Sequence, residues 1–411
     1  MLQLLKLSLR NLFRNARRTL LTVGAISFGL GMMVWTISIQ TGSYDEMTRK
    51  GISQMAGHVV VQAEGYQNDP KPETTVSGAD EIAATLREAF PGATITQRVN
   101  VAGLLVSPTN NIGAGLRAML PDAEAVIGET DDKLIDGAWL EADDERGIVI
   151  GAGMAETLDI KVGDKVVFMG QNGTDEMESR LFRVRGVFKT GAVDFDNRVG
   201  FVHLEAGRAL LQQPDTANQI AVHLDDPRAA FPATDKTRLL VTQPKLEILS
   251  WRDALPELFA LIQVDRQSSD IMMSVIGLIV AMGVLNTVLM SVLERTRELG
   301  VLMAIGMRKR KIAFMVLGEG MFLGILGTIG GLLFGFIPAY YTVTHGLDLS
   351  QWMGESIETN GVAMSAVIHG AWNIPRMGFY ALAAITFTVL AAIYPAWRVT
   401  RLQPVDAMRA H

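Results

Sequence analysis

Four stretches of this chain are almost free of charge over lengths that a water-soluble fold rarely uses. Thr19 to Tyr44, Ile271 to Leu293 and Met377 to Trp397 contain no Asp, Glu, Lys or Arg, and Ile312 to Val343 contains only Glu319. A helix needs roughly 20 consecutive apolar residues to cross the hydrocarbon core of a bilayer. These runs are too long for buried core helices. They predict transmembrane helices over 19–44, 270–293, 312–343 and 376–397.

Charge sets the expected topology. Residues 41–269 hold 22 Lys and Arg against 35 Asp and Glu, whereas the rest of the chain holds 15 against 8. The basic excess sits at span ends: Lys6, Arg10, Arg14, Arg17 and Arg18, then Arg308 to Lys311, then Arg398, Arg401 and Arg409. Lys and Arg beside a span are retained in the cytoplasm. Both termini, with a tail over 398–411, and the 294–311 connection are expected inside, and the acidic region 45–269 outside. An acidic exterior argues against a nucleic-acid partner, which calls for a basic footprint. The chain has no cysteine, which excludes disulfides and thiolate metal sites. The first apolar run is too long for a usual signal-peptide core, and an uncleaved signal anchor is the preferred reading.

Residues 1–18 place Leu2, Leu5, Leu9, Leu12 and Phe13 on one helical face and Lys6, Arg10, Arg14 and Arg17 on the other. That pattern fits a helix lying on lipid head groups, and a plain basic flank to the first span fits it equally. Residues 41–56 extend the helical pattern as a stalk, and strand-like alternation starts at His58. A helix over 79–90 and strands at 93–106 and 114–119 make a first mixed lobe. From about 136 to 204, short strands broken by Val-Gly-Asp and Asn-Gly turns read as an inserted β-rich lobe, a small barrel or sandwich. Residues 218–224 return as a strand. Residues 247–270 read as a second helical stalk, 344–375 as an outer loop, and Tyr394-Pro395 as the end of the last span. The fold class is therefore an α-helical membrane protein with four transmembrane helices and a large α+β extracytoplasmic domain on helical stalks.

The connection 294–311 is unlike a simple reversal. Glu294, Arg295, Arg297 and Glu298 precede an apolar patch from Val301 to Ile305, and Arg308, Lys309, Arg310 and Lys311 follow it. It reads as a short helix offered to a partner at the membrane surface. The run ERTRELGVLMAIGMRKRKI resembles the cytoplasmic coupling segment of MacB-type (type VII) ABC transporter permeases, the group with MacB, FtsX, LolC and LolE. The opening LKLSLRNLFRNARRTLLTVGAISFGLG and the closing YPAWRVTRLQPVDAMRA resemble the same family's ends. The resemblance implies a porter-like lobe carrying the β-rich insertion. It also implies a coupling surface drawn from Glu294, Arg295, Thr296, Arg297, Glu298, Leu299, Gly300, Met303, Ile305, Arg308 and Lys309. The implied partners are an ABC ATP-binding subunit that uses ATP and magnesium, a second permease copy (identical or different), membrane lipids, and a periplasmic carrier or adaptor. The implied place is the inner membrane.

No Walker-type G-x-x-x-x-G-K-[ST] occurs, nor H-E-x-x-H, nor G-x-S-x-G. The six histidines lack metal-ligand spacing. Asp194-Phe195-Asp196-Asn197 lacks the glycine and distal glutamate of a calcium loop and reads as a turn, and Asp131-Asp132 reads as a solvated loop. No catalysis, cofactor or metal is expected of this chain. Glu319 is a carboxylate within a span, expected to pair with a basic residue near the cytoplasmic surface and to serve structure or coupling rather than proton relay. Gly320, Gly324, Gly327, Gly331 and Gly335 recur at helical spacing and are read as packing positions. The functional expectation is mechanotransmission to the external domain, for extraction of a lipoprotein or other amphiphile. The alternatives are a tripartite efflux permease and an FtsX-like regulator of cell-wall hydrolases.

Overall fold

The computed structural model describes residues 16–127, 133–173, 176–353, 356–359 and 362–401. Most of the expected surface helix 1–18, Asp131-Asp132 and the tail beyond 401 lie outside the described residues. The chain divides into two compact units, one from 16–44, 262–348 and 367–401, the other from 45–261 and 349–366. Its longest helices are α1 (Ala16–Gly51), α2 (Ala79–Ala89), α3 (Ala230–Leu240), α4 (Pro256–Glu294), α5 (Thr296–Ala304), α6 (Lys309–Thr344) and α7 (Ile374–Thr400). Among the described residues, four helices are long and apolar enough to cross a membrane: α1, α4, α6 and α7.

In the helical unit, close approach depends on missing side chains. A Cβ on Gly320 would sit 2.5 Å from Ala392 Cβ on α7, and Gly324 faces Thr388 of the same helix. Gly327 and Gly331 face Ile26 and Leu30 of α1, and a Cβ on Gly335 would sit 2.5 Å from the Gly31 carbonyl. The glycine row of α6 thus serves two neighbours in turn, α7 and then α1, as small residues do where lipid offers helices no hydrophobic drive to associate. Ser27 Oγ donates to the Gly327 carbonyl at 3.1 Å across the same contact. Asp270 accepts from Arg376 at 2.5 Å and from the Tyr380 hydroxyl at 2.7 Å, which ties α4 to α7.

Two boundaries differ from the sequence expectation. Residues 246–250 form a strand rather than the start of a stalk helix, because Leu246, Ile248 and Ser250 pair along strand 59–63 as the edge of its sheet, and α4 begins only at Pro256. Proline suits a first helical turn, where its missing N–H has no partner to lose. The last helix does not end at Pro395 but continues to Thr400. Buried Ala391, Ala392, Ala396 and Val399 pack on both sides of the proline and offset the one lost hydrogen bond. Residues 347–368, expected as a loop of weak pattern, form two short antiparallel ribbons and one helical turn.

Among the described residues, the main sheet of the second unit has ten strands: β1 (Val59–Ala63), β2 (Thr94–Val106), β3 (Asn111–Met119), β4 (Leu134–Gly137), β5 (Gly147–Gly151), β6 (Lys165–Gln171), β7 (Met177–Phe188), β8 (Val199–His203), β9 (Gln219–His223) and β10 (Leu246–Ser250). Strands β10-β1-β9-β2 form an antiparallel sheet in that order. With α2 after β1 and α3 after β9, this is a split β-α-β arrangement with a long insertion. Ile82, Ala83 and Leu86 of α2 and Ala233 of α3 bury against Val59, Val61, Ile95, Ile220 and Val222.

The insertion closes on itself. β2-β3-β8-β5-β7-β6 return to β2, giving a six-stranded barrel filled by residues such as Leu105, Leu116, Ile148, Phe168, Phe182 and Val202. The β-rich lobe is therefore wider than residues 136–204: it borrows β2 and β3, which the sequence pattern placed in the first lobe. β2 has 13 residues, about 43 Å at 3.3 Å per residue, long enough to serve both lobes. It pairs with β9 over 94–98 and with β6 over 103–106. The change of partner falls at Gly103, where a side chain would strike Phe168 and the backbone of Gly170. Asp194 to Asn197 lies in a short helix, Val193–Arg198, rather than a turn, and the Asp196 carboxylate accepts from the backbone N–H groups of Thr190 and Gly191.

The glycine row makes a testable claim. Gly331→Leu or Gly335→Leu overpacks the α1–α6 contact, at a cost of about 1–3 kcal/mol. Gly283→Leu, where no atom lies within 4 Å of the added Cβ, serves as the control. A thermal ramp of detergent-solubilised protein, followed by size exclusion, should lose folded material earlier for the two α6 variants and not for the control.

Candidate functional site

The 294–311 segment folds as a helix held from one side. Backbone φ and ψ of −108° and 14° at Arg295 interrupt the long α4, and α5 restarts at Thr296. The Thr296 hydroxyl donates back to the Val292 and Leu293 carbonyls, so the last turn of α4 stays satisfied across the break. Gly306 ends α5 with a φ of +100°, in the left-handed region where glycine carries no Cβ penalty. Its N–H reaches the Met303 carbonyl and that of Met307 reaches the Leu302 carbonyl, each at 3.0 Å. This is the Schellman closure, and it includes the usual apolar contact, since Leu302 and Met307 both pack on the helical core.

Three residues point inward. Leu299 is 2% exposed, Gly300 is buried and Met303 is 9% exposed, and Leu299 and Met303 join Ile312, Met315 and Val316 of α6 in one apolar cluster with Val288 and Val292 of α4. The opposite face is open: Arg297, Glu298, Val301 at 43%, Ala304, Ile305 at 80%, and Arg308 to Lys311. Arg297, Val301, Ala304 and Ile305 follow one another at helical spacing, and exposed Arg308 to Lys311 follow beyond the Gly306 turn, so the apolar centre has cations on both sides in sequence.

Ion pairs fix the segment to its surroundings. Arg295 Nη1 donates to Glu319 Oε1 at 3.0 Å and Nε to Glu298 Oε2 at 3.2 Å. Glu319 lies on α6 and is 5% exposed; the basic partner expected near the surface is thus Arg295, at the break between α4 and α5. Arg18 of α1 donates to Glu294 at 2.8 Å, and Lys309 Nζ caps the Thr400 carbonyl of α7 at 3.0 Å. Four helices, α1, α4, α6 and α7, are bonded at this one end.

The residues singled out in the sequence therefore separate into three groups. Leu299, Gly300, Met303 and Thr296 hold α5 in place, Arg297, Glu298, Ile305 and Arg308 are exposed, and Glu294, Arg295 and Lys309 bond to neighbouring helices. Val301 and Ala304 complete the outward apolar face, and the sequence had not singled them out as contact residues. A helix started at Thr296 would have shown them, since 299 and 303 share one face and 301, 304 and 305 the other.

Comparison with known proteins agrees with these two units. Residues 271–404 match the FtsX-like permease C-terminal family model, and residues 19–238 match the MacB-like periplasmic core domain. The chain is 22% identical over 399 residues to a protein named lipoprotein-releasing system transmembrane protein LolC from Neisseria meningitidis serogroup B, covering 95% of this chain and 94% of that one. It is 21% identical over 392 residues to the corresponding LolE of Haemophilus influenzae, covering 94% and 92%. It is 26% identical over 427 residues to the pyoverdine export ATP-binding/permease protein PvdT of Pseudomonas fluorescens, covering 97% of this chain and 58% of that protein. With a MacB-like core model spanning more than half of it and an FtsX-like model over most of the remainder, the chain belongs to the family of MacB-, FtsX- and LolC/LolE-type ABC transporter permeases.

Proposed function

We propose that this chain is the permease subunit of an ABC transporter, and that it passes ATP-driven movement through its four spans to its soluble domain. The two-faced construction of α5 carries this reading. A loop that only reverses the chain needs no anchored helix with a cation-flanked apolar face, whereas docking on a partner does. The partner is a separate nucleotide-binding subunit that binds ATP and magnesium, and the outward residues Arg297, Val301, Ala304, Ile305 and Arg308 enter its surface. Arg295 joins that docked helix to Glu319, so a push on α5 reaches α6 through a buried ion pair as well as through Leu299 and Met303. The basic flanks support an orientation with both termini and α5 on the cytoplasmic side of an inner membrane and the soluble domain outside.

The cargo is a lipidated protein released from the membrane, as in the names of the relatives that align along nearly the whole length of both chains. Two permease copies, the same or different, flank the path, and a periplasmic carrier or adaptor receives the product. Export of a soluble small molecule is the second reading, supported by the alignment with PvdT. Lipoprotein release from spheroplasts, with and without depletion of this chain, separates the two: retention of lipoproteins on depletion supports the first, and unchanged release with loss of small-molecule export supports the second.

Two sets of variants test the coupling face. Ile305→Glu together with Val301→Glu should lose the ATPase from detergent pull-downs, since losing interface anchors costs about 2 kcal/mol or more, roughly thirtyfold in affinity. Leu299→Ala should instead unseat α5, a buried truncation worth about 2–5 kcal/mol, seen as faster hydrogen exchange over 296–305. Glu319→Gln should insert normally and still bind the ATPase, yet lower the ATPase rate of the assembled complex; an unchanged rate would remove Glu319 from the coupling path.

A further inference from the structure

The first long helix does not simply run out where the soluble domain begins. After Gly51, α1 continues as one π-helical turn, Ile52–Ala56, and stops at Gly57, whose φ is +107°. A helix end leaves carbonyls without partners and carries the negative pole of the macrodipole. Here two guanidinium groups take up that end. Arg98 of β2 donates through Nη2 to the Ser53 carbonyl at 3.2 Å, and Arg117 of β3 donates through Nη1 to the Gln54 carbonyl at 2.5 Å.

Arg98 is itself gripped from behind. Glu124, in the short helix Pro121–Ile127, accepts from Arg98 Nε at 2.6 Å and Nη2 at 3.0 Å, and also from the Thr96 hydroxyl at 3.0 Å. Arg98 and Glu124 are both buried. Burial and the charge of Arg98 hold His223 neutral, with its pKa lowered to about 3, and burial and Arg98 lower that of Arg117 to about 10. The cluster thus contains two cations and one anion, and the helix-end carbonyls supply the missing negative potential. Withdrawing the helix end would leave a buried cation uncompensated, which is costly. Where α4 starts, the contact is of another kind: the buried Leu255 and Leu258 side chains are packed under Gly51.

We propose that Arg98, Arg117 and Glu124 form the joint that fixes the end of α1 to the sheet, and that they are positioning residues for the delivery of movement to the soluble domain. The proposal deepens, and rests on, the mechanotransmission reading above. A charged clamp suits this task because it resists sliding in every direction, whereas an apolar contact can slip by one methyl group at little cost. Replacing a buried ion pair by apolar residues of similar volume is often neutral for folding, so the joint can be dissolved without dissolving the domain.

The chain has no native cysteine, so spin labels can be placed cleanly. One pair, Leu20→Cys with Phe379→Cys, reads movement within the spans; a second, Leu20→Cys with Leu181→Cys, reads delivery to the barrel, and all three positions are exposed. In the complete complex with its ATPase, both distances should change between the ADP-bound and ATP-trapped states. The double variant R98M/E124L should keep ATPase activity and the change in the first pair while losing the change in the second. R117Q, which removes one donor and relieves repulsion with Arg98, should weaken the second change alone and decides the matter if the double variant does not fold. A wild-type-like change in the second pair in folded variants overturns the joint. An absent change in the first pair of the unmodified chain would instead overturn the mechanotransmission reading.

Discussion

A carboxylate on a lipid-embedded helix is tolerated only where something answers its charge, and in this protein Arg295 answers Glu319. That pair does more than neutralise. Arg295 is the residue at which α4 breaks and α5 begins, so the same side chain that satisfies α6 also sits where the direction of α5 is set. Breaking such a pair by removing one partner is strongly destabilising, whereas its net contribution to stability when intact is modest. Its value lies in fixing one arrangement: α5 cannot turn its apolar outward face toward the bilayer without freeing a charge.

The glycine row of α6 supplies the rest of that rigidity. Because Gly320 and Gly324 receive α7 while Gly327, Gly331 and Gly335 receive α1, one helix sets the spacing of two others. Arg18 and Lys309 then tie α1 and α7 to the end where α5 sits. A displacement applied at α5 therefore meets a connected set of helices rather than a single one. In the soluble domain the end of α1 meets Arg98 and Arg117 instead of a loose loop.

Much of this was legible in the sequence, for definite reasons. The spans were visible because lipid forbids charge, and the coupling segment because charge reappears there in mixed sign around an apolar patch. The role of Gly320 to Gly335 in packing followed from spacing alone, though not which neighbour each glycine faces. The barrel was misjudged in extent because β2 and β3 belong to two lobes at once, and pairing partners between distant strands leave no local mark. The strand at 246–250 was hidden by its neighbour α4, whose helical pattern was extended backward past Pro256. Arg98, Arg117 and Glu124 were unremarkable in sequence; only long-range pairing brings them to the carbonyls of Ser53 and Gln54. Val301 and Ala304 lay within the apolar patch 301–305 seen in the sequence, but without the start of α5 their outward face could not be told from the inward one of Leu299 and Met303.

The most direct test of the central claim is a photo-crosslink from the exposed tip of α5. With no native cysteine in the chain, a benzophenone at Ile305→Cys marks one position of this chain, and recovering the tagged chain from native membranes after irradiation isolates what lies against it. The account predicts a crosslinked product containing an ABC nucleotide-binding subunit, formed from position 305 and not from Met177→Cys on the barrel. Efficient labelling at 305 with adducts to lipid alone would contradict it.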